Sequence, residues 1–240
     1  MKFTFIGSSH GVPEKNRKCT CIQLELGADR YFFDMGTSAI EKLRDWEAPI
    51  DSVKGIFISH PHGDHINGLI PFVDLCSWYA PFKTADPQIL LPTQACIDAF
   101  TTWRAAIGTP LREFRFGVIQ AGQIFDDGVL RVTAIPTKHC PNAYAFLIEA
   151  EGKRVLYTAD LSNPPADFPQ AEADKGLDLL ICEGAHFSPL EYVPYLQGRA
   201  ITRMVWTHYS DRQLPYFDAF CEAIAPLSVE RSYDGMSFEV

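Results

Sequence analysis

Short apolar runs recur along the chain, separated by turn-forming residues. Residues 2–6 (KFTFI), 20–26 (TCIQLEL) and 30–34 (RYFFD) are rich in aromatic and aliphatic side chains and predict strands. Gly27-Ala28-Asp29 joins the last two as a short glycine-containing hairpin. Ile40 and Leu43 share one helical face behind Thr37 or Ser38, both suited to capping, so a helix is expected through Trp46. Residues 53–59 (VKGIFIS) have a buried-strand pattern that ends directly at His60. A helix is expected after His65, running through Phe72 to Trp78, then a strand at 88–91 and a helix at 93–107. Strand patterns return at 130–135, 144–149, 154–158, 177–182 and 201–207, with a turn at Glu151-Gly152, and a helix is expected at 213–224. Early and late strands read as hairpins with helices interspersed. That favours an α/β (α+β) chain of mixed sheets layered with helices over a doubly wound parallel sheet.

The 240 residues contain no repeat, no low-complexity segment and no linker, so one domain spanning 1–240 is expected. Hydrophobic residues make up 47% and aromatics 12%, enough for a sizeable core. The net charge of -9 disfavours extended contact with nucleic acid, although a small anion at a metal centre stays compatible with it. The N-terminus lacks a signal-peptide pattern and no window is apolar enough to span a membrane, which places the expected location in the cytoplasm. The seven cysteines are odd in number, scattered and without Cys-x-x-Cys, so reduced thiols are expected; Cys19 and Cys21 share a strand face but make a weak metal pair.

The chemistry concentrates in His60-Pro-His62-Gly-Asp64-His65. In an extended loop His60 and His62 can turn toward one ion, while Asp64 and His65, at the start of the next helix, can face a second. Imidazole and carboxylate suit zinc and also tolerate manganese or iron. A solvated turn is the plain alternative, but three of the seven histidines fall within six residues. Two ions need further ligands, and the candidates are His139, Asp160 and His208. His60, Asp160 and His208 each fall just past the end of an expected strand, where rigid scaffolds hold functional groups on loops.

These segments resemble the metallo-β-lactamase-fold superfamily, in its branch similar to ribonuclease Z and small cyclic phosphodiesterases. GSSHGVP with Arg17 and Cys19 resembles the branch's opening loop, and YFFDMG its second landmark. HPHGDHING matches the superfamily's H-x-H-x-D-H signature. KHCPNAYAFLIE, LYTAD, WTHYS and the terminal YDGMSFEV resemble its later landmarks. The resemblance implies a four-layer αββα sandwich of two mixed sheets flanked by helices. It implies His60, His62 and His139 on one divalent ion, Asp64, His65 and His208 on another, and Asp160 bridging. His62 stands where oxygen-reducing flavo-diiron relatives carry glutamate, which argues for hydrolysis. A water shared by two ions would lose a proton near neutral pH and attack, with Asp64 orienting it.

Glu183 and His186, in ICEGAHFSP, are candidates for handling the leaving-group proton, although they lie closer together than the branch's pattern. His10 is expected to bond within its loop. Lys15, Arg17 and Lys18 read as a solvated basic run, with substrate-phosphate contact as the alternative. Gly7-Ser8-Ser9-His10-Gly11 fits the nucleophile-elbow motif literally but lacks the helix that must follow. The expected substrate is a small or cyclic nucleotide-type diester or a short RNA end, because no Gly/Pro-rich basic arm lies between His65 and His139. Lactone or thioester hydrolysis is the competing enzyme reading, and a non-catalytic metal-binding protein the distant one. No membrane partner is expected, and a homodimer is compatible with the sequence.

Overall fold

A computed structural model describes residues 1–108 and 112–240. The strands of the first sheet are β1 (Lys2–Gly7), β2 (Cys21–Leu26), β3 (Asp29–Met35), β4 (Val53–Phe57), β5 (Gln88–Leu91) and β6 (Arg115–Val118). The second sheet takes β7 (Gly122–Asp126), β8 (Arg131–Thr137), β9 (Ala143–Ala150), β10 (Lys153–Tyr157), β11 (Leu177–Gly184), β12 (Ile201–Tyr209) and β13 (Ser228–Arg231), and β14 (Ser237–Glu239) returns to the first. The orders are β14-β1-β2-β3-β4-β5-β6 and β13-β12-β11-β10-β9-β8-β7.

Both sheets are mixed. In the first, β14 to β3 pair antiparallel and β3 to β6 parallel. In the second, β7 to β10 pair antiparallel and β10 to β13 parallel. The late strands are therefore parallel rather than hairpins, and the second sheet's hairpins lie in mid-chain. The segments between the late strands, 158–176 and 185–200, are long enough to return the chain for a parallel pairing.

Strand alternation assigns each apolar residue to a layer. Phe3, Phe5, Tyr31, Phe33 and Phe57 face Phe146, Ile148, Val155, Tyr157 and Ile181 between the sheets. Their neighbours Ile6, Phe32, Ile56 and Ile58 turn outward against helices α1 (Ile40–Asp45), α3 (Leu69–Trp78) and α4 (Gln94–Ala106). On the other side, Leu156, Leu180, Cys182, Met204 and Trp206 pack against α7 (Val193–Leu196) and α8 (Phe217–Ala223). The product is the four-layer αββα sandwich. The remaining helices are single turns: α2 (Gly63–Ile66), α5 (Pro164–Asp167) and α6 (Gln170–Ala173). Among the described residues, no helix is long and apolar enough to cross a membrane.

Three further expectations need correction. The helix after His65 is two pieces, α2 and α3, because the Gly68 N–H leaves the helical path to donate to the Met35 carbonyl at 2.7 Å. The helix expected at 213–224 is a 3-10 turn at Asp211–Tyr216 followed by α8, since Pro215 has no N–H to continue an α-helical ladder. His208 lies inside β12 rather than beyond it, at φ 50° beside a shift in register. The strands that the pattern missed, β6, β7 and β13, are sheet edges with mostly exposed or half-buried side chains, so their apolar alternation is weak.

Candidate metal centre

The loops after β4, β8 and β10 and the end of β12 meet at one edge of the sandwich. Gly36 helps make this possible: it passes so close to the Asp64 carbonyl that any Cβ would collide with it, so the segment after β3 can approach α2 this closely only as glycine. Asp34, Ala159 and His208 all hold left-handed backbone, at φ 56°, 48° and 50°. Such conformations cost about 1–3 kcal/mol each and cluster where structure aims side chains.

Three groups of ligand atoms result among the described residues. His60, His62 and His139 form the first; Asp64, His65, Asp160 and His208 form the second; the third overlaps both, joining His139 and Asp160 to His186. In the first, His60 Nε2 and His139 Nε2 each lie 3.1 Å from His62 Nδ1. In the second, Asp160 Oδ1 lies 3.4 Å from His65 Nε2 and 3.3 Å from His208 Nε2. The other oxygen of Asp160, Oδ2, lies 3.6 Å from both His60 Nε2 and His139 Nε2. One carboxylate thus presents an oxygen to each of the first two groups. Asp64 Oδ2 completes the second group, 3.5 Å from His65 Nε2 and 3.7 Å from His208 Nε2.

The residues fit a pair of divalent ions. Ligand nitrogens about 2.0–2.1 Å from a tetrahedral zinc stand about 3.3 Å apart, the spacing seen here. His65 Nε2 and Asp160 Oδ1 are buried and make no hydrogen bond, a costly state for polar atoms and one that a cation would relieve. Burial opposes charge on His65, but Asp160 and Asp34 raise the ring well above the ordinary histidine range. Burial and the charge of His65 push the His60 ring well below the ordinary histidine range, leaving it neutral. Burial opposes charge on Asp160, yet His208 and His65 outweigh it and keep the carboxyl well below its usual range. Burial also opposes charge on Asp64, and His65 and His208 again hold it low.

Behind the ligands stand residues that the pattern alone did not single out. Thr20 Oγ1 lies 2.7 Å from His208 Nδ1, and Ser59 Oγ 3.0 Å from His60 Nδ1. Asp34, fully buried, accepts from His65 Nδ1 at 2.8 Å. The one visible signal was a carboxylate closing the apolar run YFF.

His186 joins the cluster. Its Nδ1 sits 2.9 Å from Glu183 Oε1, its Nε2 3.8 Å from Asp160 Oδ2, and its ring 4.6 Å from that of His139. Burial opposes its charge, but the hydrogen bond and charge of Glu183 prevail and raise it to about 9. Buried Glu183 also accepts from the Leu161 and Ala185 amides at 3.0 and 2.9 Å, which fastens the loop carrying Asp160.

The opening loop lies over the same edge. Gly11 packs against Asp64, and the His10 ring is 6.2 Å from that of His208. His10 Nε2 bonds Glu14 at 3.1 Å, a bond within its loop as expected. A cleft of about 530 Å³ opens beside it, lined by His10, Glu14, Ala185, Ser210 and Arg212 among others. Of the basic run, Arg17 is committed to Asp211 at 2.6 Å and stacks 3.8 Å over Tyr209, while Lys18 pairs with Glu41 at 3.4 Å. Ser9 is buried and its Oγ accepts from the Glu14 amide at 3.0 Å, so it fastens a loop. Among the described residues, Cys19 and Cys21 enter no group of metal-ligand atoms.

Residues 1–223 match the family described as "Anti-Pycsar protein Apyc1". The chain is 29% identical over 203 residues to a ribonuclease BN of Escherichia coli O6:K15:H31 (strain 536 / UPEC), covering 80% of this chain and 65% of that relative's length. It superposes on the metallo-β-lactamase fold protein YhfI from Bacillus subtilis with a TM-score of 0.79 at 21% identity, covering 99% of this chain and 98% of the other. The short form of human tRNase Z gives a TM-score of 0.73 at 20% identity, covering 100% and 99%. The fold is therefore the metallo-β-lactamase fold.

Proposed function

The chain belongs to the Anti-Pycsar protein Apyc1 family, and from that premise and the cluster's geometry we propose that it is a dinuclear metal-dependent phosphodiesterase acting on a small or cyclic nucleotide-type diester or a short RNA end. The observation that carries this reading is Asp160, whose two oxygens face two separate ligand groups. His60, His62 and His139 would hold one ion, Asp64, His65 and His208 the other, with Asp160 between them. Zinc suits the donor set best, with manganese or iron tolerated. Bound there, divalent ions supply an acidified water as nucleophile and polarise the scissile group.

The chain's own residues then have distinct tasks. Asp64, held as a carboxylate and facing the opening loop, orients the attacking water as a hydrogen-bond acceptor. His186 is steered by Glu183 through Nδ1, so its Nε2 points into the cluster, where it donates to the departing oxygen. Arg212, lining the adjacent cleft, offers a cation for a phosphate or nucleotide edge. Between His65 and His139 the sequence carries no Gly/Pro-rich basic arm of the kind expected to grip a large RNA, which supports a small substrate. Phosphodiesters are favoured over lactones because the opening loop and the C-terminal segment resemble the ribonuclease Z-like branch. The test is a hydrolysis panel at matched metal loading. Bis(p-nitrophenyl) phosphate and cyclic mononucleotides should be cleaved faster than simple lactones or thioesters. If lactones win clearly, the substrate class is wrong while the fold assignment stands.

A further inference from the structure

We propose that the outer face of the first sheet carries a second small-molecule site, remote from the metal centre, which takes the base of a nucleoside: a planar ring with an N–H donor, stacked on Trp46 and read by Gln23. Strand alternation places Phe3, Phe5, Leu24 and Tyr31 between the sheets and so turns Thr4, Gln23, Glu25 and Arg30 outward. The register sets Ser237, Thr4 and Gln23 side by side across β14, β1 and β2, and Arg30 opposite Glu25. Helices α1, α3 and α4 cover this face further along, over Phe32, Ile56 and Ile58. Beside them a cavity of about 450 Å³ opens over the polar row, with Trp46, from the turn after α1, in its wall. That volume suits a small molecule.

Two buried atoms of residues lining this cavity lack partners. Gln23 is 2% exposed, yet among the described residues its Oε1 makes no hydrogen bond. The Nε of Arg30 is buried and unpaired as well, while the rest of its guanidinium is committed to Glu25, Ser52 and the Ala28 carbonyl. Both are unfavourable states that apolar side chains at these positions would avoid. The leftover pair is one acceptor and one donor, which a ring N–H beside a ring carbonyl satisfies together. Uracil and hypoxanthine present that edge, each with a single such N–H on the nucleoside. The indole of Trp46, 40% exposed, offers the flat surface on which a base stacks. The site is separate from the metal centre: Ser8 and Thr20, which bond His208, lie just past the ends of β1 and β2 opposite Lys2 and Glu25. None of the cavity's residues belongs to a group of metal-ligand atoms, so the proposal does not depend on how that centre is read.

The experiment is a saturation-transfer NMR titration of the full chain with uridine and inosine, which have no phosphodiester to cleave, and with 3-methyluridine and 1-methylinosine, which lack the N–H. Gln23→Leu, Trp46→Ala and Asp160→Ala are titrated in parallel, with melting temperatures to confirm folding. At least one of the two nucleosides should bind, and its methylated form about tenfold or more weaker, because methylation leaves the Gln23 oxygen unpaired. Gln23→Leu should weaken the nucleoside by about tenfold and erase its advantage over the methylated form. Trp46→Ala should weaken both forms by about tenfold, the scale of a lost stacking partner. Asp160→Ala, distant from the cavity, should leave binding within about twofold. The proposal is overturned if neither nucleoside binds, or if methylation, Gln23→Leu or Trp46→Ala makes no difference. It is also overturned if Asp160→Ala removes binding, which would place the nucleoside at the metal centre. If Gln23→Leu fails to fold, the methylated pair and Trp46→Ala decide: weakening by both supports the site, and unchanged binding in either overturns it.

Discussion

The first two ligand groups are built differently. His65, Asp160 and His208 are almost wholly buried, and the outer nitrogens of both histidines are held by Asp34 and Thr20. In the other group only His60 is fully buried and backed, by Ser59, whereas His62 is exposed and His139 half-buried. One group is a fixed cage inside the sandwich; the other is a rim facing solvent. The contrast teaches that two ligand groups sharing one carboxylate need not be equally preorganised. On the proposed reading the buried side would set position, and the open side would leave room for substrate and exchange.

Four experiments break or sharpen this contrast, and the largest effect concerns the residue common to both groups. Asp160→Ala should remove both ions and bring hydrolysis to background, as read by metal analysis and turnover. Retention of one tightly held ion would show that the groups are independent.

Asp64→Asn keeps shape but removes charge from the buried group's open face. Turnover should fall at least about a hundredfold, on the scale of lost acid–base or positioning help. Near-normal turnover with full metal would place Asp64 outside the chemistry.

His186→Ala should act on the open side. A nitrophenolate leaves without a proton and a ribose alkoxide does not. Loss of a proton donor worth about a hundred- to ten-thousandfold should therefore fall mainly on a nucleotide diester. Equal slowing of both substrates, or a lower melting temperature with unchanged rates, would make His186 structural.

The smallest effect is a difference in rate. Under excess chelator, metal should leave in two phases, the faster from the group of His62 and His139. His62→Ala should weaken that phase's ion and spare the slower one. A single phase for the wild type would mean that the burial difference has no bearing on exchange.

How far the sequence foretold this follows from the range of each signal. The core strands were legible because burial on both faces gives continuous apolar runs such as VKGIFIS and LDLLIC. The edge strands were not, since half-exposed residues such as those of Arg115–Val118 alternate too weakly to register. His60, His62, Asp64 and His65 announced themselves by local spacing. His139, Asp160 and His208 were visible only as ligand-type residues near strand ends, and their grouping needed the resemblance. Asp34, Thr20 and Ser59 escaped because their roles depend on which nitrogen each histidine turns outward. Asp34 and Tyr157 meet across the two sheets, 123 positions apart, a distance that no local pattern encodes.

The central claim is that seven side chains hold two catalytic ions, and elemental analysis tests it most directly. Chain purified without chelator, or reconstituted with zinc and freed of excess, should carry close to two divalent ions, and its hydrolysis of bis(p-nitrophenyl) phosphate should rise with that content. No more than trace metal after reconstitution, in a folded chain, would contradict the account.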